Sequence, residues 1–403
     1  MFFLLPYGND RPTNRFPAVT YALILMNIGA YLWTMTVDRE AALHVMGLVP
    51  AHPTIYNIIT SMFLHADVFH LGWNMLFLWL FGPNVEDALG RLEYAIFYFG
   101  SGFAAAVLHV VVSGMLTPIA ADVPMVGASG AIAGILGVFA IRFYKTRIKI
   151  WYVIFLLIFI RWGKYGIPAW IGLGIWFTQQ LAGGVLGIME PESGGVAYWS
   201  HIGGMLFGMV LAYALRMGLE GTKEYLIADA KTDLERGTTW SAAENFQAVL
   251  KRDPENPEVH GELAGAYAMQ QEQEQAIRHY QRSIHLHLRK GEREKAVARF
   301  AELKHYYREA RLDLRSEYQL ARHMIDAGYQ APALQLLRDI ASTHPGTPEA
   351  EMALMKAGDL YLNTFADSQS ALDYYERFLR EYPHSAYRAM VEKSLTQARA
   401  RAT

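Results

Sequence analysis

The chain has 403 residues, of which 52% are hydrophobic and 18% are charged, and its formal net charge is -2. It contains no cysteine, which excludes disulfides and thiol chemistry. A net charge this small gives no electrostatic footprint for nucleic acid, so we expect no nucleic-acid partner.

The charged residues are distributed unevenly along the chain. Residues 1–221 hold 11 Lys/Arg and 11 Asp/Glu, whereas residues 222–403 hold 25 and 27 in a shorter stretch. Eight of the nine Trp and 27 of the 34 Gly also lie in the first part. This composition predicts a membrane domain over 1–221, followed by a soluble domain over 222–403.

Apolar stretches close to the ~20 residues that a bilayer core requires predict six transmembrane helices in the first domain. These spans lie at 17–37, 70–85, 92–116, 126–144, 167–188 and 196–217. The first span is too long for a signal-peptide core and lacks a small-residue cleavage site, so we interpret it as retained. The predicted fold class is all-α: a six-span polytopic helix bundle followed by a soluble helical tail.

The loop between spans four and five contains six Lys and Arg residues and no Asp or Glu, which indicates the orientation of the bundle. These cations are Arg142, Lys145, Arg147, Lys149, Arg161 and Lys164. The positive-inside rule predicts that this loop and both termini are cytoplasmic, in a multi-pass protein that we expect in a bacterial cytoplasmic (inner) membrane. The loop contains an apolar segment at 148–160, which is short for a span and is interpreted as interfacial or re-entrant. A seventh span there would move the tail to the outer side.

The tail has the pattern of amphipathic helices that pack in repeats. Ala242 and Phe246 are followed 34 residues later by Ala276 and Tyr280, with the small-and-aromatic segment "LAGAY" at 263–267 between them. This period resembles the tetratricopeptide repeat, although a generic helical bundle is the alternative. A stacked helical solenoid is a binding surface, and we expect it to recruit a protein partner.

Polar residues within the predicted spans are candidates for function, because they are costly in a membrane. His70 and Asn74 are spaced by four at the start of span two and share a helix face. Ser129 opens span four, and His201 opens span six. The sequence has no HExxH motif and no carboxylate at ligand spacing in the predicted spans, so we expect no metal, and no organic cofactor is called for. The predicted spans also lack the paired Asp residues that an aspartyl mechanism needs.

Small residues predict that spans four and six pack closely. Their glycine faces consist of Gly130, Gly134 and Gly137 on span four and the Gly204/Gly208 pair on span six. Such faces let two helix backbones approach, which would bring Ser129 and His201 within hydrogen-bond reach as a nucleophile and its general base. His70, Asn74 and the backbone amide of Ser129 at the start of its helix would then form an oxyanion hole.

The three segments "HADVFHLGWN", "GASG" and "SHIGGMLFG", on spans two, four and six, together resemble the rhomboid intramembrane serine proteases over residues 17–217. The resemblance implies that Ser129 is the nucleophile and His201 its base. It implies the same oxyanion hole from His70, Asn74 and Ser129. It also implies a Ser-His dyad, since no carboxylate accompanies His201.

Other residues are implied to support the site. His65 would brace the loop before span two, and Glu86 after span two would have a structural role. Gly127, in the "GASG" segment, is a further supporting residue. Two positions depart from the family pattern: Ala133 stands where some members have a Tyr that stacks on the imidazole, and Ser200 precedes His201 where Ala is usual.

These observations predict an intramembrane serine endopeptidase. It would cleave transmembrane helices of single-span or multi-span membrane-protein substrates near the outer face of the bilayer, while the repeat tail recruits a partner or a substrate. The alternative is a non-proteolytic rhomboid-like scaffold or chaperone that acts through its repeats. A transporter would predict broken spans with ion-coordinating groups near the midplane.

Overall fold

The computed structural model describes residues 2–118, 121–156, 159–189 and 197–402. The chain divides into two compact units, Met1–Tyr225 and Leu226–Thr403. The division falls within a helix that covers Met217–Glu235, and the boundary predicted after Gly221 lies in the same helix.

The first unit contains the helices that correspond to the six predicted spans. They are α1 (Ala18–Thr34), α4 (Val68–Leu89), α5 (Arg91–Leu116), α6 (Ser129–Arg142), α7 (Ala169–Met189) and α8 (Tyr198–Ala214). Two short helices, α2 (Arg39–Met46) and α3 (Ile55–Ser61), lie between α1 and α4, and α9 (Met217–Glu235) follows α8. The predicted apolar stretches therefore all form helices.

The number of membrane spans stays a prediction. By length and composition, two of the described helices, α5 and α7, can each cross a membrane alone, and the pair α8 and α9, bent by 70°, can provide a third span. Helices α1 and α6 are apolar but shorter. At 1.5 Å per residue, the 14 residues of α6 extend only about 21 Å. The six-span count is therefore not established.

Local signals fix the start of α4, which contributes to the site. The Asp67 carboxylate accepts hydrogen bonds from the backbone N–H groups of Phe69 and His70, both at 2.8 Å, and so caps the helix. Gly90 ends α4 with a φ of 93°, a left-handed conformation that favours glycine, and α5 begins at the next residue. Hence His70 and Asn74 lie in the first two turns of a well-capped helix.

A small antiparallel sheet was not predicted. Its strands β1 (Phe2–Asn9), β2 (Arg147–Leu156) and β3 (Phe159–Pro168) are arranged in the order β1-β2-β3. Residues 148–156 are therefore a strand and not part of a seventh helical span, and residues 157 and 158 lie outside the described part of the chain. The β-branched and aromatic residues of this segment favour a strand once two partner strands are available. The all-α prediction holds for the rest of the described chain, and this sheet is the exception.

The second unit is a succession of helices joined by short turns. Its helices are α10 (Thr239–Leu250), α11 (Pro257–Met269), α12 (Gln273–Arg289), α13 (Arg293–Tyr306), α14 (Leu314–Asp326), α15 (Gln330–Thr343), α16 (Pro348–Asn363), α17 (Ser368–Glu381) and α18 (Arg388–Ala402). The repeat positions Ala242, Phe246, Ala276 and Tyr280 are fully buried or nearly so. The small-and-aromatic pattern read from the sequence is therefore the packing pattern of this unit.

Candidate active site

Ser129 and His201 lie side by side at the N-terminal ends of two packed helices. Ser129 is the first residue of α6, and His201 lies in the first turn of α8. The distance between Ser129 Oγ and His201 Nε2 is 2.8 Å, which is a normal hydrogen bond. A serine hydroxyl in contact with an unprotonated imidazole nitrogen is the arrangement that activates a serine nucleophile.

Glycines bring the two helices this close. A Cβ atom on Gly204 would overlap the carbonyl oxygen of Gly130, and one on Gly208 would overlap that of Gly134. A Cβ on Gly137 would likewise overlap the carbonyl oxygen of Met205. The backbones of α6 and α8 are therefore in direct contact along the two predicted glycine faces. This contact holds the serine and the histidine at a fixed separation.

Helix α7 contributes two contacts to His201 that the sequence did not indicate. His201 Nδ1 lies 2.7 Å from Oε1 of Gln180, on the ring edge away from Ser129. The ring of Trp176 lies 5.8 Å from the imidazole, centroid to centroid, with 31° between the planes. The imidazole thus has an aromatic neighbour, which comes from α7 and not from position 133 of α6, where Ala stands.

His70 and Asn74 face the loop that leads into Ser129. Gly127 has a φ of 124°, and a Cβ there would lie 2.8 Å from His70 Nε2 and 3.6 Å from Asn74 Nδ2. The Asn74 side chain is buried, and its Nδ2 has no hydrogen-bond partner among the described residues. The backbone N–H of Ala66 donates to His70 Nδ1 at 3.4 Å, which leaves Nε2 as the protonated nitrogen. Two side-chain donors therefore point toward the backbone just before Ser129.

His65 is fully buried beside His70, with the two rings edge to face and their centroids 5.1 Å apart. Neither ring nitrogen of His65 has a hydrogen-bond partner within the described chain. Arg39 donates to the carbonyl oxygen of His65 at 3.3 Å. His65 is thus packed within the loop that precedes α4, and its bracing role stays a prediction.

Glu86 lies away from the serine and histidine and binds the start of α1. Its carboxylate accepts from the backbone N–H of Val19 at 3.0 Å, and from the N–H and the hydroxyl of Thr20 at 2.8 and 2.7 Å. Helix α1 has no side-chain cap of its own, so Glu86 satisfies its free amides from another helix.

Ser200 is buried, and its hydroxyl lies 2.6 Å from where a Cβ on Gly130 would be.

Sequence reasoning missed Gln180 and Trp176. Their only signal is a polar residue four positions after a tryptophan in the apolar segment "IWFTQQLAGG", a spacing that places both on one face of α7. No motif distinguishes Gln180 from Gln179. The structure separates them, because Gln180 is buried whereas Gln179 is exposed.

Comparison with known proteins gives two family matches. Residues 52–218 match the rhomboid domain, and residues 352–385 match a tetratricopeptide repeat. The first range contains Ser129, His201, His70 and Asn74.

Three curated relatives are similar to part of this chain. Rhomboid protein 1, mitochondrial, of Saccharomyces cerevisiae is 28% identical over 222 residues, which cover 54% of this chain and 58% of that protein. Rhomboid-like protein 11, chloroplastic, of Arabidopsis thaliana is 28% identical, covering 51% of this chain and 68% of its own length. The putative rhomboid protease YdcA of Bacillus subtilis is 31% identical, with coverages of 31% and 61%.

The alignments span less than two thirds of the yeast and Bacillus proteins. The repeat match at residues 352–385 is a separate finding. Residues 52–218 of this chain are therefore similar to the rhomboid domain, and residues 352–385 are similar to a tetratricopeptide repeat.

Proposed function

We propose that the protein is an intramembrane serine protease that cleaves transmembrane helices of membrane-protein substrates. The observation that carries this proposal is the 2.8 Å distance between Ser129 Oγ and His201 Nε2. The glycine contacts of α6 and α8 support it, because they hold this pair without adjustable side chains between the helices. The curated relatives that are named as proteases support it at the level of the family.

The proposed reaction follows from the chemistry of the pair. Ser129 Oγ attacks the carbonyl carbon of the scissile peptide bond while His201 Nε2 takes its proton. His201 returns that proton to the leaving amine, the C–N bond breaks, and an acyl-enzyme remains on Ser129. A water molecule then attacks the ester through the same base, which releases the new carboxylate and restores the serine hydroxyl.

His70 and Asn74 are proposed as the donors that stabilise the oxyanion. The buried Asn74 Nδ2 lacks a partner among the described residues, and a buried donor of this kind costs free energy unless a ligand satisfies it. The backbone N–H of Ser129 adds a third donor at the N-terminus of α6, where the helix dipole also favours negative charge. These donors would stabilise the tetrahedral intermediate more than the neutral carbonyl of the substrate.

The proposed orientation places the reaction near the outer face of a bacterial cytoplasmic membrane. Ser129 begins α6 and Arg142 ends it, followed by the cationic loop that the positive-inside rule assigns to the cytoplasm. Both termini would then be cytoplasmic. The repeat tail would bind a protein partner or the cytoplasmic part of a substrate and raise its effective concentration near the protease.

The test uses the purified full-length protein in vesicles with a single-span model substrate. Ser129→Ala and His201→Ala should each abolish cleavage and labelling by a serine-directed phosphonate, because nucleophile and base act as one unit. Ser200→Ala is the matched control: it removes one buried hydroxyl from the same helix pair and should leave both readouts. Labelling that persists in Ser129→Ala would refute the assignment. A folded wild-type protein that neither cleaves nor labels would favour the scaffold.

A further inference from the structure

We infer that Gln180 is a positioning residue for His201, so that the site is a Ser-His-Gln arrangement with a neutral orienting group. This inference rests on the proposed protease function. It assigns to α7 a part in catalysis that neither the motifs nor the family match supplies.

The geometry of the imidazole carries the inference. Gln180 Oε1 lies 2.7 Å from His201 Nδ1, while Ser129 Oγ lies 2.8 Å from Nε2. An amide oxygen can only accept, so His201 Nδ1 must carry the hydrogen and Nε2 must present its lone pair to the serine. Gln180 thereby selects the tautomer that the reaction needs.

Burial and a second contact make this arrangement specific. The side chain of Gln180 is 8% exposed, so bulk water does not replace its hydrogen bond. Trp176, one turn earlier on α7, lies against the same imidazole with its ring centroid 5.8 Å away. One face of α7 therefore fixes both the proton position and the plane of the ring.

A neutral partner differs from the carboxylate of a Ser-His-Asp triad in a measurable way. A carboxylate stabilises the positively charged imidazolium, whereas an amide orients the ring without adding a negative charge. In a buried apolar site an unpaired carboxylate is costly, and an amide avoids that cost. The protonation of His201 should therefore respond to a carboxylate introduced at position 180.

The test compares Gln180→Leu and Gln180→Glu with wild type, using vesicles and a single-span substrate. Gln180→Leu should lower kcat about 10- to 100-fold with little change in KM, which corresponds to one lost buried hydrogen bond in the reacting state. Gln180→Glu should retain activity and move the acid limb of the pH profile to higher pH. The matched control is Gln179→Leu, which changes the exposed neighbouring glutamine and should leave kcat unchanged.

The outcomes separate this inference from the proposed function. If Gln180→Leu has the kcat of Gln179→Leu while Ser129→Ala is inactive, the orienting role is wrong and the protease assignment stands. If Gln180→Leu does not fold, the Gln180→Glu profile decides, and an acid limb that does not move contradicts the role. An inactive wild-type protein overturns both.

We also infer, from a separate observation, that the solvent-exposed face of the β1-β2-β3 sheet binds the anionic headgroups of phospholipids. The strand register puts Lys149 and Trp151 of β2 on one face with Trp162 and Lys164 of β3, and Trp151 pairs directly with Lys164. All four side chains are exposed, whereas Ile148 on the opposite face is buried in the core of the unit. This exposed face combines cations with indole rings.

The position of the sheet next to α7 indicates that the ligand of this face is a lipid. Strand β3 runs without a break into α7 at Ala169, one of the helices long and apolar enough to cross a membrane. The sheet is therefore held at the level where that helix enters the bilayer, the depth at which tryptophan is enriched. Residues 123–189 contain no Asp or Glu, so nothing in this stretch of sequence neutralises the cations. Each lysine close to an anionic surface strengthens binding.

Tryptophan quenching by brominated lipids tests this inference in the detergent-solubilised full-length protein. Brominated phosphatidylglycerol should quench at lower concentration than brominated phosphatidylcholine. The double variant Lys149→Gln/Lys164→Gln should weaken the phosphatidylglycerol response about 30-fold, given the usual contribution of two lysines. The control is Lys231→Gln/Arg236→Gln, which removes two exposed cations of the second unit. Equal responses to the two lipids, an unchanged double variant, or displacement by inorganic phosphate would overturn the inference.

Discussion

Two helix pairs, one from each unit, use glycine in opposite ways. In the first unit the glycines of α6 and α8 face each other, and the backbones touch. In the tail, Gly358 of α16 instead provides the space for an aromatic ring, since a Cβ there would lie 2.5 Å from Tyr375 Cε1. The contact between α6 and α8 is between backbones, so no side chain can move to relieve an overlap. The contact at Gly358 is between a backbone and the large buried ring of Tyr375.

We attribute this difference to the solvent proposed for each unit, which is lipid for the first and water for the second. Burying an aromatic ring away from water stabilises a soluble helix pair by about 1.5–3 kcal/mol. Helices in lipid gain nothing by exchanging lipid for leucine, so they associate through close backbone packing. The rigid contact is also the one that holds Ser129 beside His201. The second unit also contains ion pairs between helices, such as those of Arg299, whose side chain is 14% exposed, with Glu258 and Glu262.

The largest effect is expected at the backbone contact between α6 and α8, where the helices are closest. Gly204→Val would force its side chain into the carbonyl oxygen of Gly130 and separate α6 from α8. We expect a loss of cleavage of at least about 10²-fold, because a displacement near 1 Å between reacting groups costs that much. Cleavage of the model substrate and the melting temperature measure the effect. Gly29→Val, on the open side of α1, is the control, since nothing lies within 4 Å of its Cβ position. Equal losses in both variants would mean that close packing is not the cause.

The next effect concerns the donors proposed for the oxyanion. Asn74→Ala should lower kcat by ~10²–10³, the usual loss for one oxyanion contact. His70→Ala should have an effect of similar size unless the remaining donors compensate. The kcat of each variant and of the wild-type protein is measured in steady state at saturating substrate, and circular dichroism checks that the variants fold. If the double variant loses less than about tenfold, the two residues are structural.

The apolar stretches and the glycine faces were readable from the sequence because both are local patterns. All six predicted stretches are helices, and the spacing of Gly130, Gly134, Gly204 and Gly208 predicted the contact that the structure contains. The sheet was not readable. A continuous apolar run such as 148–160 fits a buried helix and a buried strand equally well, and the choice depends on a partner strand at Phe2–Asn9, far away in sequence.

Part of the site was missed for a related reason. The serine, the histidines and Asn74 occur in recognisable segments, whereas Gln180 is one glutamine beside another in an apolar helix. Its contact with His201 depends on how α7 is rotated against α8, which is a property of tertiary packing. The roles of all these residues stay predictions until variants are measured.

A moderate effect is expected at the junction where the first unit ends. The guanidinium of Arg142 is largely buried and pairs with Glu224 through Nη1 and Oε2 at 3.2 Å, and Thr146 Oγ1 lies 3.0 Å from the hydroxyl of Tyr225. A truncation after Gly221 removes both partners and should lower the free energy of unfolding by about 1–2 kcal/mol, since Glu224 is partly exposed. A truncation after Glu235 retains them.

The two truncations therefore separate stability from recruitment. The protein ending at Glu235 should cleave a simple single-span substrate at nearly the wild-type rate but lose the enhancement that the tail gives to a physiological substrate. The protein ending at Gly221 should in addition melt at lower temperature. Complete inactivity of the folded, inserted protein ending at Glu235 would contradict a purely recruiting tail. So would a tail that proteases digest from outside intact cells.

The smallest effect is expected at a group of aromatic rings within the tail, far in sequence from Ser129 and His201. His279 lies between His260 and Tyr267, with ring centroids 5.1 and 5.7 Å away. The Nδ1 atoms of the two histidines are 2.8 Å apart, so only one of them can carry a hydrogen there. Burial, together with the neighbouring His260 and Arg278, lowers the pKa of His279 to about 4. Burial also lowers the pKa of His260.

These shifts predict how the stability of α11 and α12 depends on pH. Between about pH 6.5 and pH 4 the unfolded His279 binds a proton that the folded ring does not, so the free energy of unfolding should fall as the pH decreases through this window. Above it, both states are neutral and His279 contributes no slope. Hydrogen exchange of the amides of these helices in the full-length protein, corrected for the intrinsic effect of pH, measures the slope. His279→Gln should reduce it, whereas His285→Gln, which changes an exposed histidine on the same helix, should not. A slope that His279→Gln leaves intact, or protection that increases as the pH decreases, would show that other groups control the acid response of the repeats.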